Sequence, residues 1–225
     1  YLLYFTDMGR VYRTKTYNIP EAGRTAKGTP VVNIIEKSPE EKISEIIPVK
    51  EFSDNEYLVM VTKNGVIKKT PASEYESIRK SGKIAITLKE GDELISIFKT
   101  TGNDNIFLAT RNGMAICFNE NDARAVGRTA SGVKAIDLAD GDYVVGAEPV
   151  REDSKVLLVT DGGYGKCTDL TSFRIQHRGG KGLKAYKITE KTGNIIGISM
   201  VNDSEELIMV TSEGVVIRIR IKDIA

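Results

Sequence analysis

His177 is the single histidine among 225 residues, flanked by Gln176 and Arg178. A serine or cysteine nucleophile needs an imidazole base whose Nδ1 is oriented by a carboxylate. The neighbours of His177 read instead as a polar loop. Cys117 and Cys167 each stand four residues beyond a turn glycine, one repeat apart. Equivalent positions in separate units do not converge on one metal or one disulfide, so both read as small buried or half-buried side chains. Gly162-Gly163-Tyr164-Gly165-Lys166 has the composition of a phosphate loop. The nucleotide-binding pattern also requires a glycine five residues before the Gly-Lys pair and Ser or Thr after it. Thr160 and Cys167 occupy those places, and a hairpin turn is expected. Glu40-Glu41 and Glu205-Glu206 fall in polar connections, where solvation explains them better than acid–base chemistry does. Asn202-Asp203-Ser204 matches a glycosylation triplet by chance. No catalytic centre, cofactor site or metal site is expected in this chain.

Charge is the chemistry that remains, and positioning it requires elements. The elements come from a repeat. Five segments share an apolar run, Thr-x-x-Gly and a second alternating run, around Thr6/Gly9, Thr62/Gly65, Thr110/Gly113, Thr160/Gly163 and Thr211/Gly214. The glycine-to-glycine spacings are 56, 48, 50 and 51 residues, a propeller-like period. Each segment reads as a β-hairpin with glycine at the turn. A basic loop follows, ending at Gly28, Gly82, Gly132 or Gly182. A third strand is expected after it, at Val31–Ile35, Lys83–Leu88, Val133–Leu138 and Leu183–Ile188. A fourth is expected at Ile43–Val49, Leu94–Phe98, Tyr143–Val150 and Asn194–Val201. The expected fold is all-β, with four-stranded blades. The repeats run approximately 2–56, 57–104, 105–154 and 155–205, with a partial fifth hairpin over 206–225. The chain opens inside an apolar run and has no initiating Met, so a piece of a longer polypeptide is expected.

Composition excludes several classes. The chain is 40% hydrophobic and 28% charged, which is not the mix of a disordered or collagenous protein. No apolar run approaches the ~20 residues of a membrane helix. Two cysteines do not make a disulfide framework, and a reducing compartment is the default. Lys and Arg number 32 against 31 Asp and Glu, a formal charge of +1, which argues against a globally basic nucleic-acid binder.

The charges are nevertheless sorted. Between Lys166 and Lys187 stand six bases (Lys166, Arg174, Arg178, Lys181, Lys184 and Lys187) against one acid, Asp169. Ala123 to Lys134 holds Arg124, Arg128 and Lys134 with no acid, Ile78 to Lys83 holds Arg79, Lys80 and Lys83 with none, and the first loop holds Arg24 and Lys27. The hairpins add Arg13, Lys15, Lys68, Lys69 and Arg218. The late connections are acidic, and Glu36 to Glu56 carries seven acids against three bases. Stacked blades would set the basic loops side by side as a positive stripe able to neutralise successive phosphates of a curved duplex. Small residues in the loops let backbone N–H groups approach phosphate oxygens. Base readout is not expected, because few Asn or Gln accompany the arginines.

The same residues resemble a known family. Arg10-Val11-Tyr12, Tyr17-Asn18-Ile19-Pro20-Glu21-Ala22, Lys27-Gly28 with Pro30-Val31-Val32-Asn33, Asn64-Gly65 with Lys68-Lys69-Thr70, Gly82-Lys83 with Ala85-Ile86, Gly91-Asp92-Glu93-Leu94-Ile95 and Gly163-Tyr164-Gly165-Lys166 are similar, in order, to the C-terminal domains of bacterial DNA gyrase A subunits. The resemblance implies a β-pinwheel, a disc of four-stranded blades that exchange strands between neighbours. It implies wrapping of double-stranded DNA on a positive rim, in support of ATP-dependent negative supercoiling. Catalytic tyrosine, metal and ATP sites would lie in other domains or in the gyrase B subunit. DNA, the gyrase B subunit, with the remainder of the A subunit, are the implied partners. No membrane is implied, and the implied location is bacterial cytoplasm, at the nucleoid. The fragment itself is expected to be monomeric and non-catalytic. Gln176-His177-Arg178-Gly179-Gly180-Lys181-Gly182 is similar to the gyrase box, commonly Gln-Arg-Arg-Gly-Gly-Lys-Gly, although it lies in the fourth complete repeat rather than the first. The residues expected to bind DNA are therefore Arg24, Lys27, Lys68, Lys69, Arg79, Lys80, Lys83, Arg128, Lys134, Lys166, Gln176 to Gly182, and Lys184. The alternatives are the related domain of topoisomerase IV, which binds DNA without the same wrapping, and a propeller-like protein-interaction scaffold.

Overall fold

The computed structural model describes residues 1–224; Ala225, the last residue of the partial fifth hairpin, lies outside the described residues. The first repeat contributes β1 (Leu2–Thr6), β2 (Arg10–Thr14) and β3 (Ile43–Pro48). The second contributes β4 (Tyr57–Thr62), β5 (Val66–Pro71), β6 (Lys83–Ile84) and β7 (Leu94–Thr100). The third contributes β8 (Asn105–Thr110), β9 (Met114–Asn119), β10 (Val133–Lys134) and β11 (Val144–Pro149). The fourth contributes β12 (Lys155–Thr160), β13 (Gly165–Asp169), β14 (Leu183–Lys184) and β15 (Ile195–Val201), and the fifth hairpin is β16 (Glu206–Val210) with β17 (Val216–Arg220). Short 3-10 turns are the only helical structure among the described residues.

The Thr-x-x-Gly signature has a local cause. At the second hairpin Gly65 takes φ +78°, which an L side chain rarely adopts. Its N–H donates to the Thr62 carbonyl at 3.0 Å, while the Thr62 hydroxyl accepts from Val66 N at 3.2 Å. The same pair of bonds recurs in the other hairpins, for example at Thr110 with Gly113 and Met114. Threonine is needed because its hydroxyl satisfies the N–H that opens the second strand.

Sheet order departs from the simple repeat reading. The sheets run β3-β1-β2-β6, β10-β5-β4-β7 and β11-β8-β9-β14, so the outer strand beside each hairpin's second strand comes from the following repeat. A fourth sheet is three-stranded, β13-β12-β15, and β16-β17 forms a two-stranded one. The third strands are also shorter than expected. Each is two residues long because the next N–H groups turn onto the preceding hairpin's glycine: Ala85 N reaches Gly9 O at 2.8 Å, and Ala185 N reaches Gly113 O at 2.8 Å. Val31–Asn33, expected as a strand, is a 3-10 turn, with Ile34 N on Val31 O at 2.9 Å. It pairs with no hairpin among the described residues.

The chain forms two compact units, 1–103 with 123–135, and 104–122 with 136–225. Their boundary follows the exchange, since the third repeat's basic loop and β10 belong to the first unit. In the first unit Leu3, Phe5 and Val11 pack with Leu58, Met60, Leu94 and Ile97 in one core, while Tyr4 and Tyr12 fill a second cluster with Ile35. Strand residues of both parities are thus buried, as in a sheet covered on both faces. In the second unit Phe107, Cys117, Val156, Leu158 and Phe173 form the corresponding core.

Candidate nucleic-acid interface

In the first unit, two loops present their cations to solvent. Residues 21–30 are exposed throughout, including Arg24 and Lys27, and in the loop before β6 Arg79 and Lys80 are exposed, with Lys83 half-buried on β6; Lys134 is an exposed residue of β10. The loop before β6 is held from below, where Arg10 Nη2 donates to Ser81 O at 2.7 Å and Arg13 donates to Glu76 O.

The third repeat's loop is different. Lys68 and Lys69, expected at the surface, are only 1% and 4% exposed. They lie on β5, which is flanked by β4 and β10 and covered on both faces, so neither ammonium is available to a phosphate. Lys68 Nζ donates to Ala85 O at 2.5 Å and to Arg128 O. Burial, with the Arg128 guanidinium nearby, pushes the Lys68 ammonium down to about 7. Lys69 Nζ sits 4.3 Å from the centre of the Tyr57 ring, a cation–π contact, and Lys69 O accepts Val126 N at 2.9 Å. Arg128 itself turns its guanidinium onto Ile84 O. Lys68 and Lys69 therefore support the loop from below, while Arg124 remains exposed on it.

In the second unit the Gln176–Gly182 loop is fixed at both ends. Gln176 N donates to Cys117 O at 2.8 Å, and Gly180 O accepts Asp137 N at 2.9 Å. Gly182 has φ +74°, and a Cβ there would stand under 3.0 Å from Ala115 O. Leu183 and Lys184 then pair with Ala115 and Met114. Close backbone packing on β9 therefore explains the last glycine of the heptad. Lys166, Lys181 and Lys184 are exposed, while Gln176, Arg178, Gly179 and Gly180 are half-buried.

Asp122, absent from the sequence expectations, organises this loop. Its Oδ2 accepts Arg178 N at 3.2 Å and lies 3.1 Å from His177 Nδ1, and its carbonyl accepts Arg178 Nε at 2.8 Å. His177 thus has the Nδ1 carboxylate that a catalytic base requires, yet its ring is 96% exposed on a loop. The sequence signal for Asp122 is its place as the last acid before the acid-free stretch from Ala123 to Lys134. The remaining chemical candidates fall as expected: Gly163 (φ +78°) makes a hairpin turn, and Cys117 and Cys167 are free thiols, the first buried and the second half-buried.

Four-stranded antiparallel sheets that recur about every fifty residues and borrow a strand from the following repeat define a propeller-like all-β repeat domain. The family model described as "DNA gyrase C-terminal domain, beta-propeller" matches residues 1–50, 56–101, 104–151, 154–202 and 205–225, and the chain belongs to that family. The chain is 57% identical over 224 residues to the DNA gyrase A subunit of Halalkalibacterium halodurans and 52% identical to that of Clostridium acetobutylicum, covering 100% of this chain in each case. It spans 27% of the length of either relative. Among solved structures, a topoisomerase IV C-terminal domain superposes with TM-score 0.92 at 30% identity, over 100% of this chain and 70% of that one. A DNA gyrase A C-terminal domain superposes with TM-score 0.83 at 26% identity, over 97% and 71%. No helix among the described residues is long and apolar enough to cross a membrane.

Proposed function

We propose that this chain binds duplex DNA through sequence-independent phosphate contacts and bends it, as the DNA-wrapping domain of a type II topoisomerase of the gyrase kind. The observation that carries the reading is the recurrence of exposed cations at one loop position of successive repeats: Arg24 and Lys27, Arg79 and Lys80, Arg124, then Lys181. Smoothly bending 20–30 base pairs by 40–90° costs on the order of 1–6 kcal/mol, which several such contacts offset. In the complete enzyme the wrapped segment would be handed to strand passage with a fixed crossing sense. ATP hydrolysis, magnesium and the cleavage tyrosine would be supplied by the other domains and by the gyrase B subunit, in the bacterial cytoplasm. The chain itself then acts without a cofactor and without a catalytic residue.

The test is a salt series on a short duplex. A chain that neutralises six or more phosphates loses on the order of a thousandfold in affinity between 50 and 200 mM salt; binding that barely weakens over that range would contradict the reading. The superposition on a topoisomerase IV C-terminal domain at TM-score 0.92 keeps membership of that related kind as a second reading, for which the resemblance implies DNA binding without the same wrapping. The two separate on the writhe that the bound chain traps in a closed circle.

A further inference from the structure

The heptad differs from the gyrase-box pattern at one residue, His177, and the structure gives that residue a specific partner. A carboxylate only accepts hydrogen bonds, so the 3.1 Å contact to Asp122 Oδ2 assigns the proton to His177 Nδ1. In the neutral ring the exposed Nε2 then carries a lone pair, which repels a phosphate oxygen. In the protonated ring Nε2 carries a hydrogen and donates to one.

We infer that Asp122 is the positioning residue of a proton-linked phosphate contact at His177, so that DNA binding at this loop takes up one proton onto Nε2. The inference rests on the proposed DNA binding and adds a residue and a linkage to it. The proton comes from solvent, and Nδ1–H remains on the Asp122 carboxylate throughout. Imidazole is the side chain that ordinarily changes charge between about pH 5 and 8.

The groups around the ring are compatible with this role. Asp122, on the Glu120–Asp122 turn, is the acid that faces it. Glu120 of the same turn is buried and accepts Asp104 N at 2.7 Å. Arg178, on the ring's own loop, holds its Nε on Asp122 O. Cys117, on β9 beneath the loop, is a buried thiol pushed up to about 11 and adds no charge. Asp122 therefore does two things at once: it accepts the Arg178 backbone N–H, and it holds the His177 Nδ1–H so that Nε2 is left outward.

The test measures the affinity of the 225-residue chain for a short duplex from about pH 5.5 to about pH 8 at fixed salt. His177→Gln and His177→Arg are run alongside. Lys68 titrates in the same range, so the profile is read as the difference from His177→Gln. The parent is expected to gain about two- to fivefold in affinity at the acid end relative to His177→Gln, the size of one exposed ionic contact. His177→Arg should show no such gain and match the acid-end affinity at every pH. Parallel profiles for the parent and His177→Gln, with both still binding and still salt-sensitive, would overturn the inference and leave the proposed function standing. Loss of DNA binding by the parent at low salt would overturn both.

A second readout needs no DNA. His177 is the only histidine, so its ring nitrogen resonances report one tautomer equilibrium. Asp122→Ala removes the acceptor at Nδ1, and the preference for the Nδ1–H form should be lost. An unchanged tautomer would remove Asp122 from the account.

Discussion

The loop over 123–132 in the first unit and the loop over 176–182 in the second occupy the same place in their repeats and are anchored by opposite charges. Under the first lies Lys68, three residues beyond the hairpin glycine, with its ammonium on Ala85 O and Arg128 O. The equivalent residue under the second is Ile116, which is buried and apolar, and the anchor there is Asp122 on the turn after β9. The cation beneath the first loop satisfies carbonyls, whereas the carboxylate beneath the second satisfies N–H groups. The difference teaches that keeping a loop's shape does not require keeping its chemistry. A lysine in a basic repeat can be scaffold while an aspartate on a neighbouring turn anchors an exposed loop.

The largest effect should come from the heptad. Arg178→Glu with Lys181→Glu replaces two cations by anions and should cost about 2–4 kcal/mol of DNA binding for all sequences alike, read by titration on unrelated duplexes. Loss confined to one sequence would contradict backbone recognition. Next is the packing beneath the loop. Gly182→Ala places a methyl group under 3.0 Å from Ala115 O at a positive φ, and the unit should lose about 2–3 kcal/mol in denaturant unfolding. Gly28→Ala has the same sign of φ but nothing within 4 Å of the new methyl, and about 1 kcal/mol is expected there. Equal losses would show that conformational strain, and not contact with β9, fixes the heptad.

Lys68 provides a smaller and more diagnostic effect. Its folded value of about 7 lies below the ~10.4 of a free lysine, so between these limits the unfolded chain binds more protons. Stability should therefore rise with pH from about 7 upward, by at most about 1.4 kcal/mol per pH unit, and Lys68→Met should remove that rise. A parent and variant with the same pH dependence of unfolding would mean that Lys68 is solvated. Smallest of all, Arg124→Ala should weaken DNA binding by about 0.5 kcal/mol and lower the salt slope by about one. The same substitution at Lys69, buried against Tyr57, should act on stability instead.

The repeat, the hairpins and the exposed loop cations were legible because they rest on local rules: alternation, a threonine hydroxyl placed for a turn, glycine at positive φ. Strand exchange was not readable from the repeat alone, because two-residue strands such as β6 and β14 carry no periodicity of their own. They exist only through the hairpin they meet, and the family resemblance supplied that feature. Lys68 and Lys69 misled for a related reason. Adjacent lysines on a strand look solvent-facing on one side at least, and only packing against Ala85 and the Arg128 loop on one face and the Tyr57 ring on the other buries both. Asp122 was invisible to a search for positive charge, since its role depends on a fold that sets residues 122 and 178 in contact.

We propose that the chain holds DNA bent along a path of one handedness. The direct measurement is to bind the chain to nicked circular DNA, seal the nick, remove the protein and resolve the topoisomers. The account predicts a linking-number shift of one sign that grows with the chain-to-circle ratio and disappears in Arg178→Glu with Lys181→Glu. An unshifted distribution at ratios where binding is saturated would contradict it.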